Sequence, residues 1–284
     1  MVSRTAIRRG FVDLDEGQLH YRERGGGDAT PLVLLHQASG SSRTMAPLMP
    51  ALARDRRVIA IDLPGNGDSC PPTSHDPSIE DYADAIGRAT DALGLERFAV
   101  YGFHAGASVA AELAIAGPER VSALILDSVG LYDRADAQRL ANDYMPPVER
   151  HPHGLHLIQL WHYVRDTYLF WPWHQTDAAH ARAVGLPPLA ELHDKTVEVI
   201  KGMDHFAKLY RAAFLHDKAA RLPLIAVPTL VTVGRTNSQR DKLDAVAALI
   251  AGADTLVTDG IYSPDDAAAT ATQFAAWLMN RDRQ

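Results

Sequence analysis

Residues 98–113, FAVYGFHAGASVAAEL, constrain the fold of this chain more than any other stretch. Phe98-Ala99-Val100-Tyr101 is an apolar run of the kind a buried strand shows, and Gly102-Phe103-His104-Ala105-Gly106 leads from it directly into an alanine-rich segment of high helix propensity. Two glycines flanking one functional side chain are what a sharp strand-to-helix turn requires. The middle residue takes a strained backbone, and its neighbours must lack side chains so that strand and helix can approach. His104 is the side chain that such a turn would present.

Around this turn, strands and helices alternate. Residues 11–15 and 18–24 read as two short strands about an Asp15-Glu16-Gly17 turn, and residues 31–36 form a continuous apolar run suited to a strand covered on both faces. A helix over 41–53, a strand over 57–62, a helix from Ser78 to about Leu93 stopped by Gly94, and a strand over 121–127 follow. Past Asp127 the alternation lapses for roughly ninety residues, too long for a loop and long enough for an insertion. It resumes with a strand from Val227 to Gly234, a helix over 241–250, a strand over 254–258 and an amphipathic helix over 265–279.

The chain has 284 residues, 46% of them hydrophobic, enough for a sizeable core. No run reaches the roughly 18 apolar residues of a spanning helix, and the basic residues at the start have no apolar segment behind them, so neither a membrane role nor a secretory signal is expected. The formal net charge of −7 with scattered Lys and Arg argues against nucleic-acid binding. The single cysteine, Cys70, excludes a disulfide within the chain and a cysteine-based metal site, and fits a reducing, cytoplasmic setting.

Four segments carry a family resemblance: the Gly102-x-His104-x-Gly106 turn, Leu34-Leu35-His36, Asp62-Leu63-Pro64-Gly65-x-Gly67-x-Ser69 and Val227-Pro228-Thr229-Leu230. In this order and spacing they resemble the nucleophile elbow, the oxyanion-loop strand, the Gly-rich turn and the post-cap strand of the α/β-hydrolase superfamily. The resemblance implies an α/β fold, a mostly parallel eight-stranded sheet with helices on both faces. Residues 1–130 and 219–284 would form the core domain and 131–218 an inserted helical cap.

The site departs from the family pattern three times. His104 stands where the nucleophile is expected, Gly234-Arg235-Thr236-Asn237 where the acid is expected, and Gly260-Ile261 where Gly-His is expected. No histidine follows His216, so the serine mechanism, with a histidine to take the hydroxyl proton, is not available. Ser108, one helical turn past His104, reads as structural.

An oxyanion hole can survive without the triad, from the N–H of Ala105 and of the loop near Gln37 or Ala38. The positive end of the helix dipole disfavours an imidazolium, so His104 is expected to be neutral near pH 7 and to act as base or nucleophile. Its orienting partner is expected to be Asp127, with Asn237, through its side-chain carbonyl, as the alternative. Asp62 reads as structural. His36, Phe103, Ile261 and Tyr262, with Trp161 and His162 from the aromatic run 161–174, are expected to shape the substrate pocket. His151, His153 and His156 match no metal-ligand spacing.

The residues favour an enzyme acting on a small apolar or aromatic carbonyl compound through His104. The alternatives are a cofactor-free lyase, isomerase or cyclase with His104 as general base, and an inactive ligand-binding protein. The expected partner is a small-molecule substrate, with no cofactor, metal, nucleic acid or membrane; a homodimer is left open.

Overall fold

A computed structural model describes residues 6–145 and 148–282. Its strands are β1 (Arg8–Leu14), β2 (Gly17–Gly25), β3 (Ala29–Leu35), β4 (Arg56–Ile61), β5 (Phe98–Phe103), β6 (Val121–Asp127), β7 (Thr229–Gly234) and β8 (Asp254–Thr258). They form one eight-stranded sheet in the order β1-β2-β4-β3-β5-β6-β7-β8. β1 and β2 pair antiparallel with each other, β2 pairs antiparallel with β4, and the other pairings are parallel. β5 and β7 are buried at every residue, which is why they read as unbroken apolar runs.

The helices are α1 (Ser42–Met45), α2 (Met49–Leu52), α3 (Ile79–Ala92), α4 (Ala105–Ala116), α5 (Arg134–Asp143), α6 (Leu155–Leu169), α7 (Leu189–Lys201), α8 (Phe206–Leu215), α9 (Lys218–Arg221), α10 (Leu243–Ala247) and α11 (Pro264–Asp282). Successive strand residues point to opposite faces, so Val33 and Leu35 join α3, α4 and α10 in one core layer, while Leu32 and Leu34 join α1, α2 and α11 in the other. Ser78 and Asp81 close a reciprocal capping box that starts α3. α4 is buried from Ala105 to Ala114, so it lies at the centre of the molecule and shows no polar face.

The expected helix over 41–53 is instead two short helices, α1 and α2. Pro47 falls between them and has no N–H to continue the ladder. The helix expected over 241–250 contracts to α10 behind a 3₁₀ turn at Arg240–Lys242. Between β6 and β7, α5 to α8 carry two small hydrophobic clusters of their own, one around Tyr163, Leu192 and Phe206, the other around Leu140, Tyr144 and Phe214.

Candidate active site

β5 ends at Phe103 and α4 begins at Ala105, so a single residue, His104, turns the chain. Its φ of 49° and ψ of −111° lie in a region that costs a side-chain-bearing residue ~1–3 kcal/mol. The corner is held from outside. The His104 N–H donates to the Asp127 carbonyl at 2.9 Å. A Cβ on Gly102 would stand 2.2 Å from the Gly106 carbonyl oxygen, and one on Gly106 would stand 2.4 Å and 2.5 Å from the carbonyl oxygens of Leu35 and His36. Both glycines are therefore needed for close approach of backbones, and the second presses α4 against the end of β3.

Loops that follow β3, β5, β6, β7 and β8 meet α6, α7 and α8 around a cavity of about 520 Å³. Such a crevice, outside the carboxyl ends of the strands, is where open α/β sheets bind ligands. Half-buried His104 lines it, with Phe103 edge-on at 4.4 Å between ring centroids. Gln37, Ala38 and Ala105 line it as well. Ala105 is the first residue of α4, so its N–H has no carbonyl four residues back to bond.

The partner of His104 is Asn237. The Gln239 backbone N–H donates to Asn237 Oδ1 at 2.9 Å, which fixes the amide orientation and leaves Nδ2 to face His104 Nε2 at 3.2 Å and the Tyr262 hydroxyl at 3.3 Å. His104 Nε2 is thus the acceptor, and the ring proton sits on Nδ1. Burial, and then the nearby Arg182 charge, push the imidazole down to about 3. The ring is neutral at pH 7 as expected, although burial is the leading cause.

Asp127 does not orient His104. It is 1% exposed, and its two carboxylate oxygens accept the Tyr101 and Ser128 hydroxyls at 2.8 Å each. Burial raises it to about 6 despite those bonds. The carboxylate packs among β-strand side chains beneath the corner, and only its backbone reaches His104. Asn237 is likewise corrected in one respect: its amide N–H, and not its carbonyl, faces the ring, because the carbonyl is taken by Gln239.

His36 is fully buried and does not line the cavity. Its Nδ1–H donates to the Gln37 carbonyl at 2.7 Å and its Nε2 accepts the Leu63 N–H at 2.9 Å, so both nitrogens are committed to tying the loop after β3. Trp161 packs in the cluster around Tyr163, and His162 is exposed on the outer face of α6; neither reaches the cavity. Ile261 and Tyr262 do line it. Ser108 lines it too, with a buried hydroxyl that has no hydrogen-bond partner among the described residues. Asp62 ties the Gly-rich turn, accepting from Ser42 N, Asp68 N and His20 Nδ1 at 2.6, 2.9 and 2.8 Å. Burial would raise it, but these bonds prevail and bring it to about 2.

Other groups on the cavity wall carry no sequence signature. Ser39, at φ 55°, shares a triangle of hydroxyls with Tyr163 and Tyr210 at 2.9, 3.2 and 2.9 Å, joining the loop after β3 to residues that lie 124 and 171 positions away. Arg182 and Lys195 enter from the segment between α6 and α7 and from α7. Two clusters among the described residues have metal-ligand types, but an arginine sits in each. Arg9 donates to His20 and Asp68 at 3.1 and 2.8 Å, and Arg221 takes both oxygens of Glu112 at 2.8 and 2.6 Å. Neither cluster lines the cavity.

A family model described as alpha/beta hydrolase fold matches residues 30–166. An uncharacterized hydrolase of Saccharomyces cerevisiae is 33% identical over 123 residues, 43% of this chain and 42% of that protein. A 2-hydroxy-6-oxononadienedioate/2-hydroxy-6-oxononatrienedioate hydrolase of Pseudomonas putida is 39% identical over 124 residues, 42% of each chain. This chain thus spans about two-fifths of the length of these curated relatives. A thermophilic esterase from Thermogutta terrifontis superposes with a TM-score of 0.73 at 18% identity, covering 97% of this chain and 99% of that one, a likeness of fold. Strand order, the turn at His104, the family model over residues 30–166 and the solved neighbours agree on one point: the chain has the alpha/beta hydrolase fold.

Proposed function

We propose that this protein is a hydrolase of a small apolar or aromatic carbonyl compound, an ester, thioester or related acyl derivative, with His104 as base or nucleophile and α5 to α8 as a cap over the site. The observation that carries the reading is a neutral imidazole mounted at the strand-to-helix corner, opening on a cavity walled by Phe103, Tyr132, Tyr144, Tyr168 and Trp171. As a base, His104 would receive a water proton on Nε2, in place of the Asn237 amide, while the water oxygen adds to the carbonyl carbon. The displaced electron pair would rest on the carbonyl oxygen, beside the N–H groups of Ala105 and of Gln37 or Ala38. Collapse would expel the leaving oxygen or sulfur, which takes the proton back from the ring.

A second reading has the same base remove a carbon-bound proton in a cofactor-free lyase, isomerase or cyclase, with an enolate in the same donors. It asks a single proton transfer of His104, the one histidine among the described residues that line the cavity. The test is turnover of 4-nitrophenyl esters of graded acyl length by wild type and His104→Ala. Hydrolysis abolished by the substitution supports the first reading. Deuterium exchange from solvent into a bound carbonyl compound, without cleavage, would replace it with the second. Ligand binding with neither reaction would make the protein a non-catalytic binder.

A further inference from the structure

The chain carries a net charge of −7, yet its cavity wall holds four basic side chains and three acidic ones. Arg43 is ion-paired with Asp194, Lys195 Nζ lies 3.8 Å from Glu198 without a hydrogen bond, and the buried Lys218 Nζ donates to the Ala213 carbonyl at 2.5 Å. Arg182 is the guanidinium of the wall that meets no carboxylate and stands closest to the chemistry through Tyr262. It donates from one terminal nitrogen to the Thr167 carbonyl at 2.5 Å and lies 5.9 Å from the Tyr262 ring centroid, and among the described residues no carboxylate pairs with it. A guanidinium has five N–H donors, so some remain for whatever fills the cavity.

Arg182 is also held in place. Its backbone N–H donates to the Leu169 carbonyl at 2.7 Å, and Phe170 and Ala181 form a bridge beside it, so the segment is stitched to the end of α6. Tyr262, on which the guanidinium lies, shares the Asn237 amide with His104. The unpaired cation therefore stands next to the ring that would do the chemistry.

We propose that the cavity takes a carbonyl compound bearing a carboxylate, and that Arg182 receives that carboxylate beside His104. A planar, weakly hydrated guanidinium in an aromatic-walled site is suited to a carboxylate on an apolar body. The proposal deepens the hydrolase reading and rests on it for the reaction, though not for binding. Burial and, second to it, the Arg182 charge hold the His104 imidazole down, and a bound carboxylate would offset the Arg182 part.

The experiment is calorimetry of the full chain with 3-phenylpropanoate and with its neutral isostere 3-phenylpropanamide, on wild type, Arg182→Gln and Arg182→Lys. Wild type is expected to bind the carboxylate at least ~10-fold more tightly than the amide. Arg182→Gln should erase that preference without weakening amide binding, and Arg182→Lys should keep part of it. Equal binding of the two probes by wild type, no carboxylate binding at millimolar concentration, or a preference that persists in Arg182→Gln would each overturn the proposal. Because no turnover is measured, these outcomes stand apart from loss of the hydrolase reading, which the ester series decides.

Discussion

Replacing Asn237 by Asp tests the site at its centre. In the native protein the Asn237 amide donates to His104 Nε2, so a proton arriving on that nitrogen would meet another N–H. A carboxylate there reverses the preference. With the charges about 3.2 Å apart and an effective dielectric of ~20, the attraction with an imidazolium is ~5 kcal/mol, or ~3–4 pH units. The new carboxylate would stay ionised, because the Gln239 N–H and the Tyr262 hydroxyl are already placed to donate to it. His104 should therefore rise from about 3 to ~6–7. The assay is ¹⁵N-resolved NMR titration of the histidines, with His104→Gln identifying the resonance. Wild type should show a neutral ring with the proton on Nδ1 from about pH 5 to about pH 9, while Asn237→Asp should carry the proton on Nε2 and titrate near neutrality. A wild-type ring protonated on Nε2 at pH 7, or a midpoint in Asn237→Asp that stays below ~4, would refute the reasoning.

Three further outcomes are expected. His104→Gly should remove the strain of a side chain at φ 49° and stabilise the protein by ~1–2 kcal/mol, seen as a melting temperature a few degrees higher, while abolishing turnover. His104 is held near 3 in the folded state against an unfolded value of about 6.5, so the unfolded chain binds more protons between those limits. Stability must then be lost as pH falls through that window, by ~2–3 kcal/mol once the partial exposure of the ring is discounted, and urea melts of His104→Gln should show a shallower acid decline than wild type. Asp127 has the opposite sign: raised to about 6, it costs stability as pH rises from about 3.8 towards 6, so Asp127→Asn should compare better with wild type at about pH 8 than at about pH 4, and should change turnover by less than ~3-fold. A large loss of turnover in Asp127→Asn would restore the carboxylate to the mechanism.

The sheet and the corner were legible because local chemistry settles them. Gly102 and Gly106 are required by backbone contacts below 2.6 Å, and a strand buried on both faces has to be apolar throughout. The neutrality of His104 could be anticipated from its position, but its partner could not. Asp127 ends β6 and Asn237 lies three residues past the end of the neighbouring β7, and what separates them is the direction of each side chain: one bonds Tyr101, the other reaches His104, turned by the Gln239 N–H. The aromatic run 161–174 is visible in the sequence, whereas which of its rings on α6 line the cavity, Tyr163 and Tyr168 but not Trp161, depends on the rotation of that helix. Arg182 sat in a segment without periodicity, and its importance arises only from the charges that fail to meet it.

The corner's geometry is secured by parts other than the residue it displays. Its two flanking glycines, the carbonyls of Leu35 and His36 against which the second is pressed, and the Asp127 carbonyl all act on main chain, so position 104 behaves as a socket into which different side chains can be fitted. A scaffold arranged in this way can exchange its reactive group without being rebuilt. The same independence means that His104→Ser would sit in the mount as comfortably as the native ring and remain inert, with no second histidine among the cavity residues to withdraw its proton.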